Sequence, residues 1–149
     1  MVLSLVSKLF IPCFGYAYRM AFYGFADGAC RHTLNLASIA WFLYSIDHDL
    51  INSGAVCTGP VTKNIAKYHA VIGLLTGAAS QDIYDLVMFM YSQLVVRHLN
   101  HIYTIKNLVL LQLFQRVWLL ERSFEYITYR HIHRSYNTVA DSLVNYILD

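Results

Sequence analysis

The sequence predicts an α/β domain in which a mixed β-sheet carries helices on its faces. Three strand-like segments follow one another in the first part of the chain, and helical and strand-like segments then alternate. An order of consecutive strands followed by alternating units implies a mixed sheet. The length of 149 residues suits one domain and is sufficient to bury a core.

Strands are predicted for the first three segments. Residues 19–27 form a short apolar and aromatic run that ends at Asp27-Gly28, and this pattern favours a strand buried on both faces. Residues 38–47 and 50–57 are strand-like and are separated by a polar turn around Asp47-His48-Asp49.

Helices and strands alternate in the rest of the chain. The predicted elements are a helix over 62–77, a strand over 86–91, helices over 92–103 and 107–123, a strand over 124–132 and a last helix towards residue 148. Thr62 and Ser92 are the predicted N-caps of the first two helices, and Ser135 or Asn137 caps the last one.

The composition favours a domain that is buried among partners. The chain is 57% hydrophobic and 13% charged, whereas charged residues make up about 25% of a typical soluble chain. In the predicted helix over 107–123, Leu110 and Val117 belong to one apolar stripe, while Trp118 and Leu119 extend the apolar surface to another face. We therefore expect protein subunits of a larger assembly as partners.

Several function classes have no signature in the sequence. The apolar run over 86–96 is followed by Arg97 and is shorter than the roughly 18 residues of a spanning helix, so no transmembrane span is predicted. Cys13, Cys30 and Cys57 form no C-x-x-C pair, which predicts no zinc and favours buried thiols in a reducing compartment. We expect no cofactor and no small-molecule substrate.

Residues 1–18 are a separate segment at the start of the chain. Lys8 and Pro12 interrupt its apolar run, so it is either a short targeting segment or an N-terminal arm packed on a neighbour. The expected location is intracellular, in the mitochondrion or another organelle.

Four short motifs occur in order along the predicted elements. They are Phe25-Ala26-Asp27-Gly28-Ala29-Cys30, Thr62-Lys63-Asn64-Ile65-Ala66-Lys67-Tyr68, Tyr91-Ser92-Gln93-Leu94-Val95-Val96, and His131-Ile132-His133-Arg134 with Asn137-Thr138-Val139-Ala140-Asp141-Ser142-Leu143. Together they resemble type 1 ribonuclease H, the family that cuts the RNA strand of RNA–DNA hybrids. The resemblance covers about residues 19–149 and implies a ribonuclease H-like fold, a five-stranded mixed sheet with helices on both faces.

The resemblance also implies a catalytic site of four carboxylates around two magnesium ions. Asp27 matches the first carboxylate and Asp141 the last, but the other two fall on Lys67 and Tyr91. An ammonium near Asp27 repels divalent cations and can pair with the carboxylates instead. We therefore expect no metal and no intact catalytic site, with Lys67 in the electrostatic place of the metals.

Nucleic-acid contacts are expected near this site. Thr62, Asn64 and Gln93 match substrate-facing positions of the family, although they could equally serve as caps and turn formers. Side chains at 31–36 replace the family's glycine-rich turn, and the basic stretch over 97–134 could track phosphates or be an ordinary solvated face. The predicted nucleic-acid-binding residues are Arg31, Thr62, Asn64, Gln93 and Arg134.

The resulting hypothesis is a catalytically inactive ribonuclease H-like protein, a pseudoenzyme that acts as a structural or interaction subunit of a large complex. The expected complex is a ribonucleoprotein such as an organellar ribosome, with RNA as a further partner. Two alternatives stay open. One is a free-standing nucleic-acid-binding module that does not cleave, and the other is an active RNA–DNA hybrid nuclease with an altered metal site.

Overall fold

The computed structural model describes residues 22–31 and 36–133. The elements in chain order are β1 (Phe22–Arg31), β2 (Leu36–Tyr44), β3 (Leu50–Gly59), α1 (Lys63–Ser80), β4 (Asp85–Met90), α2 (Gln93–Leu99), α3 (Leu108–Glu121) and β5 (Tyr126–His131). The predicted arm over 1–18 and the predicted last helix, with its caps at Ser135 or Asn137, lie outside the described residues.

The strands form one five-stranded sheet in the order β3-β2-β1-β4-β5. β2 pairs with β1 and β3 in the antiparallel sense, whereas β4 pairs with β1 and β5 in parallel. The first strand is therefore central, and the predicted mixed sheet and ribonuclease H-like fold class are confirmed.

Most element boundaries differ from the prediction by one to four residues, and two of the differences have a visible physical reason. β1 continues past Gly28, since its antiparallel pairing with β2 extends to Arg31 opposite Leu36. α2 ends at Leu99 rather than at residue 103, and His101 just beyond it has a φ of 60°. A left-handed residue cannot continue an α-helix, so the chain turns there.

The N-termini of the three helices are capped by side chains. Thr62 accepts a hydrogen bond from the Ile65 amide, and Ser92 accepts one from the Val95 amide. Asn107 accepts from two amides at the start of α3. Each such cap satisfies otherwise unpaired N–H groups and stabilises its helix by about 1 kcal/mol.

Helix α1 packs on β1 and β2 and also contacts α3. Its buried side chains and those of the sheet form the main core. A buried pair lies within this core, because the Tyr68 hydroxyl is 2.9 Å from Nδ1 of His98. A second cluster of buried residues includes Tyr23, Phe25 and Phe89.

Helix α3 is buried on one side only. Its buried residues are Leu110, Leu113 and Val117, which agree with the predicted stripe. Trp118 and Leu119, on the predicted second apolar face, are about half exposed.

The buried thiol prediction is wrong for Cys57, which is exposed because β3 is an edge strand. Among residues 22–31 and 36–133, no helix combines the length and hydropathy that a membrane span requires.

Candidate nucleic-acid site

A cavity of about 580 Å³ opens where β1, β4 and β5 meet the start of α1. β4 ends one residue before Tyr91, and β5 ends at His131, which lies opposite Met90 in the parallel register. In open α/β sheets, ligands bind at the carboxyl ends of the strands near the point where the strand order changes direction. The lining residues are Asp27, Gly28, Ala29, Cys30, Lys63, Lys67, Tyr91, Ser92, Gln93 and His131.

The approach of α1 to β1 is controlled by Gly28. A Cβ at this position would lie 2.5 Å from the carbonyl carbon of Ala66 and 2.7 Å from the backbone nitrogen of Lys67. Only glycine leaves room for such a close approach of two backbone segments. The absence of a side chain here therefore brings the Lys67 backbone against the strand that carries Asp27.

Lys67 and Asp27 form a largely buried ion pair. Lys67 Nζ is 3.1 Å from Asp27 Oδ1, and the two side chains are 13% and 4% exposed. The Gly28 amide also donates to Oδ1, at 2.9 Å. The carboxylate thus has two donors on one oxygen, one of which carries a full positive charge, and such charge-assisted bonds are the stronger kind.

Tyr91 supports the same ammonium group. The Lys67 Nζ lies over the Tyr91 ring, 5.4 Å from its centroid. A cation in that position is attracted to the negative face of the ring, by about 0.5–2 kcal/mol depending on exposure. The structure therefore places Lys67 between Asp27 and Tyr91, whereas Asp141 lies outside the described residues.

These residues do not fit a pair of divalent cations. Mg²⁺ is held by hard oxygen ligands, mainly carboxylates, and Asp27 is the one carboxylate among the described residues that line the cavity. Its Oδ1 contacts an ammonium. The part of the chain that the structure describes contains no group of three or more His, Cys, Asp or Glu residues able to hold a metal ion.

The predicted nucleic-acid-binding residues are divided by the structure. Gln93 lines the cavity at the start of α2. Thr62 and Asn64 lie at the start of α1, outside the cavity lining, and the Thr62 hydroxyl caps the helix. Arg31 belongs to β1, but its side chain and the whole of Arg134 lie outside the described residues.

Lys63 and His131 line the cavity, and the sequence analysis gave neither a role at this site. For Lys63 a signal was present, because it precedes Lys67 by four residues and this spacing puts both on one face of a helix. For His131 the sequence gave no local signal, because the parallel register of β4 and β5 brings it to the cavity. The lining contains two lysines and one aspartate, so its formal charge is +1 when histidine is counted as uncharged.

Comparisons with known proteins agree with this fold. A sequence model of the family described as reverse transcriptase-like matches residues 25–147. RNase H1 from the halophilic archaeon Halobacterium salinarum is 30% identical, with a TM-score of 0.81 over 87% of this chain and 98% of that one. The N-terminal RNase H domain of a Mycobacterium tuberculosis protein is 28% identical, with a TM-score of 0.82 over 88% of this chain and 95% of that one.

A third solved structure shows the likeness of fold alone. LC11-RNase H1, solved in complex with an RNA/DNA hybrid, is 23% identical, with a TM-score of 0.77 over 86% of this chain and 99% of that one. The comparison with curated protein sequences finds no match.

The comparisons correct the expectation that this chain is not an enzyme. The matches at 28% and 30% identity are an RNase H domain and an RNase H1, and this class points to a nuclease. The pseudoenzyme prediction took the loss of two carboxylates, at Lys67 and Tyr91, as the loss of all hydrolytic chemistry. It is wrong because the chain matches an RNase H1 and an RNase H domain at 30% and 28% identity. The cavity brings together a carboxylate, two ammonium groups and an imidazole. Such groups can transfer protons and stabilise developing negative charge.

Proposed function

The chain belongs to the reverse transcriptase-like family and has the ribonuclease H fold, and on this premise we propose that it is an RNA–DNA hybrid nuclease with an altered metal site. The substrate class follows from the proteins that it resembles. The alteration is the Lys67–Asp27 ion pair, which stands where the resemblance implies metal-binding carboxylates.

One observation carries the proposal, namely the position and charge of the cavity. It lies at the carboxyl ends of the parallel strands, and its lining is cationic overall. Nucleic-acid backbones carry one negative charge per phosphate, and proteins bind them chiefly through lysine and arginine. A cavity of this charge therefore suits a phosphodiester better than it suits an uncharged ligand.

The proposed chemistry uses the side chains that line the cavity. His131 is exposed at the end of β5, and its imidazole belongs to the side-chain type that most often serves as a general acid or base in catalysis. The Lys67 ammonium can stabilise negative charge on the phosphate oxygens. Asp27 acts through Lys67, because it accepts a hydrogen bond from the ammonium and holds its position.

Cleavage of a hybrid labelled at the 5′ end of its RNA strand tests this proposal. We expect the full chain to shorten the RNA strand of the hybrid and to leave double-stranded DNA intact. Asp27→Asn is expected to lower the rate by tenfold or more, whereas Lys106→Ala, at an exposed loop position, matches the unsubstituted chain. A folded protein that cleaves no hybrid, whether Mg²⁺ is present or replaced by EDTA, would overturn the proposal.

We propose a second, compatible role as a subunit of a larger assembly. It is supported by the exposed apolar side chains of α3, where Leu108 is 75% exposed and Leu119 is 54% exposed. A protein partner that covers these side chains would remove apolar surface from water. A ribonucleoprotein such as an organellar ribosome, with a mitochondrial location, stays the predicted setting.

Affinity purification of the tagged endogenous protein tests this second role. Stoichiometric recovery of a defined set of subunits is the expected result. The replacement of Leu108 and Leu119 by Gln should release those subunits, whereas Lys106→Ala should retain them. Recovery of the chain alone would overturn the subunit role and would leave the nuclease proposal untouched.

A further inference from the structure

We infer that Lys67 and Lys63 form a binding site for the phosphate oxygens of a nucleic-acid backbone that requires no metal ion. The inference rests on the proposed function for the class of ligand only. Beyond that function, the two lysines hold the phosphate oxygens, and divalent cations take no part in binding.

The first step is the fixed position of the Lys67 ammonium group. Asp27 accepts a hydrogen bond from it at 3.1 Å, and the Tyr91 ring lies on another side at 5.4 Å. Lysine side chains ordinarily lose considerable rotamer entropy when they are held by a ligand. This ammonium is already held by the protein, so a bound anion immobilises it at a smaller entropic cost.

The Lys67 ammonium retains N–H donors that a ligand can use. An ammonium carries three N–H donors and no acceptor, and within the described residues this one donates to Asp27. Lys67 is 13% exposed and lines the cavity. The group can therefore donate to an anion there, in a charge-assisted bond, without releasing the carboxylate.

The third step is the second cation. Lys63 lies one helical turn before Lys67, is exposed and lines the same cavity. Residues four apart on a helix have Cβ atoms about 5–6 Å apart, so the two ammonium groups can contact neighbouring oxygens of one phosphate or of adjacent phosphates. Ser92 and Gln93, at the start of α2, line the same cavity.

The fourth step is the exclusion of divalent cations from this position. A metal ion at Asp27 would have to displace the ammonium or share a carboxylate oxygen with it, against charge repulsion. A phosphate is repelled by the Asp27 carboxylate but attracted by both lysines, and the lining as a whole is cationic. The same geometry that does not fit Mg²⁺ thus favours an anion.

Fluorescence anisotropy of a labelled RNA–DNA hybrid, measured with the full chain in EDTA, tests the inference. We expect the affinity to be the same within about twofold when Mg²⁺ replaces EDTA at constant ionic strength. Lys63→Ala is expected to lower it roughly threefold to tenfold and to reduce the slope of log K against log salt by about 1. The matched control, Lys106→Ala, removes an exposed lysine outside the cavity lining. We take the basic stretch over 97–134, to which it belongs, as a solvated face, so this variant should change neither quantity.

Lys67 requires two variants, because its removal leaves Asp27 without its cation. Lys67→Met should weaken binding at least as much as Lys63→Ala, and Lys67→Arg should restore most of the affinity. If Lys67→Met fails to fold, the Lys63→Ala result and its salt slope still decide the question. Binding that requires Mg²⁺, or an equal effect of Lys63→Ala and Lys106→Ala, would overturn the inference.

Inorganic phosphate separates a phosphate site from a backbone site. We expect millimolar phosphate to displace the hybrid from the unsubstituted chain. The same concentration should displace less of it from the Lys63→Ala variant. Binding of inorganic phosphate without any binding of the hybrid would overturn the assignment to a nucleic-acid backbone. Metal-independent hybrid binding without cleavage would overturn the nuclease proposal and support this inference, so the two can fail separately.

Discussion

Replacement of Lys67 by Met should lower the free energy of unfolding substantially. The Coulomb energy of opposite charges at the 3.1 Å separation of Lys67 Nζ and Asp27 Oδ1 is about 5 kcal/mol at an effective dielectric constant of 20. Much of this energy is offset by the desolvation of both groups in the intact pair. Met removes the attraction but leaves the carboxylate, which is 4% exposed, desolvated and without its cation. We therefore expect a loss of about 2–4 kcal/mol.

Urea denaturation followed by circular dichroism gives the change in the free energy of unfolding, provided that the dependence of this free energy on urea concentration, m, is the same in both proteins. A double-mutant cycle isolates the pair. The double replacement Lys67→Met with Asp27→Asn should recover most of the loss, because a neutral Asn side chain can still accept a hydrogen bond from the Gly28 amide. Lys106→Met, at an exposed site, should stay within about 0.5 kcal/mol of the unsubstituted chain.

The reasoning is refuted by a small or additive effect. A loss below about 1 kcal/mol for Lys67→Met would place the pair in the range of solvent-exposed salt bridges. A coupling energy near zero in the cycle would mean that Lys67 and Asp27 do not interact in solution, and the description of the site would then fail with it.

Three further results are expected from other parts of the structure. Gly28→Ala should lower the free energy of unfolding in urea by about 1–3 kcal/mol, because its new Cβ would overlap the Ala66 backbone at 2.5 Å; a neutral effect would contradict the close packing. Burial lowers the pKa of His98 below its ordinary 6.5, so the unfolded state takes up a proton first and stability falls as pH drops below about 6.5. One such group contributes up to about 1.4 kcal/mol between pH 7.5 and 5.5, and His98→Gln should flatten that dependence in denaturation measured at both pH values; an unchanged slope would assign it to other groups. Lys67→Glu combined with Tyr91→Asp should gain about 1.4 kcal/mol of stability at a Mg²⁺ concentration ten times its dissociation constant, whereas the unsubstituted chain should show no shift in melting temperature with Mg²⁺.

Within the described residues, local patterns in the sequence were sufficient for the element order. Apolar and aromatic runs, helical periodicity and the caps at Thr62 and Ser92 predict the strands and helices that the structure has there. The strand order depends on pairing between distant segments, which periodicity does not reveal. The number of strands in the sheet came from the resemblance. The end of α2 at Leu99 was missed because the left-handed His101 has no marker such as glycine.

The sequence motifs identified some residues of the site but not all of them. The motifs identified Asp27, Lys67 and Tyr91, which the structure brings together. His131 joins them through the parallel register of β4 and β5, which no local pattern encodes. The pseudoenzyme prediction is contradicted by the matches to an RNase H1 and an RNase H domain. It rested on a count of missing carboxylates, which takes no account of the other side chains that line the cavity.

The close contact between Gly28 and α1 has a consequence for the dynamics of the site. The Gly28 amide donates to Asp27 Oδ1, and the α1 backbone lies directly against this residue. The proton of the Gly28 amide can exchange with solvent only when α1 separates from β1 or the Asp27 carboxylate turns away. The exchange rate of this single amide therefore measures how often the site opens.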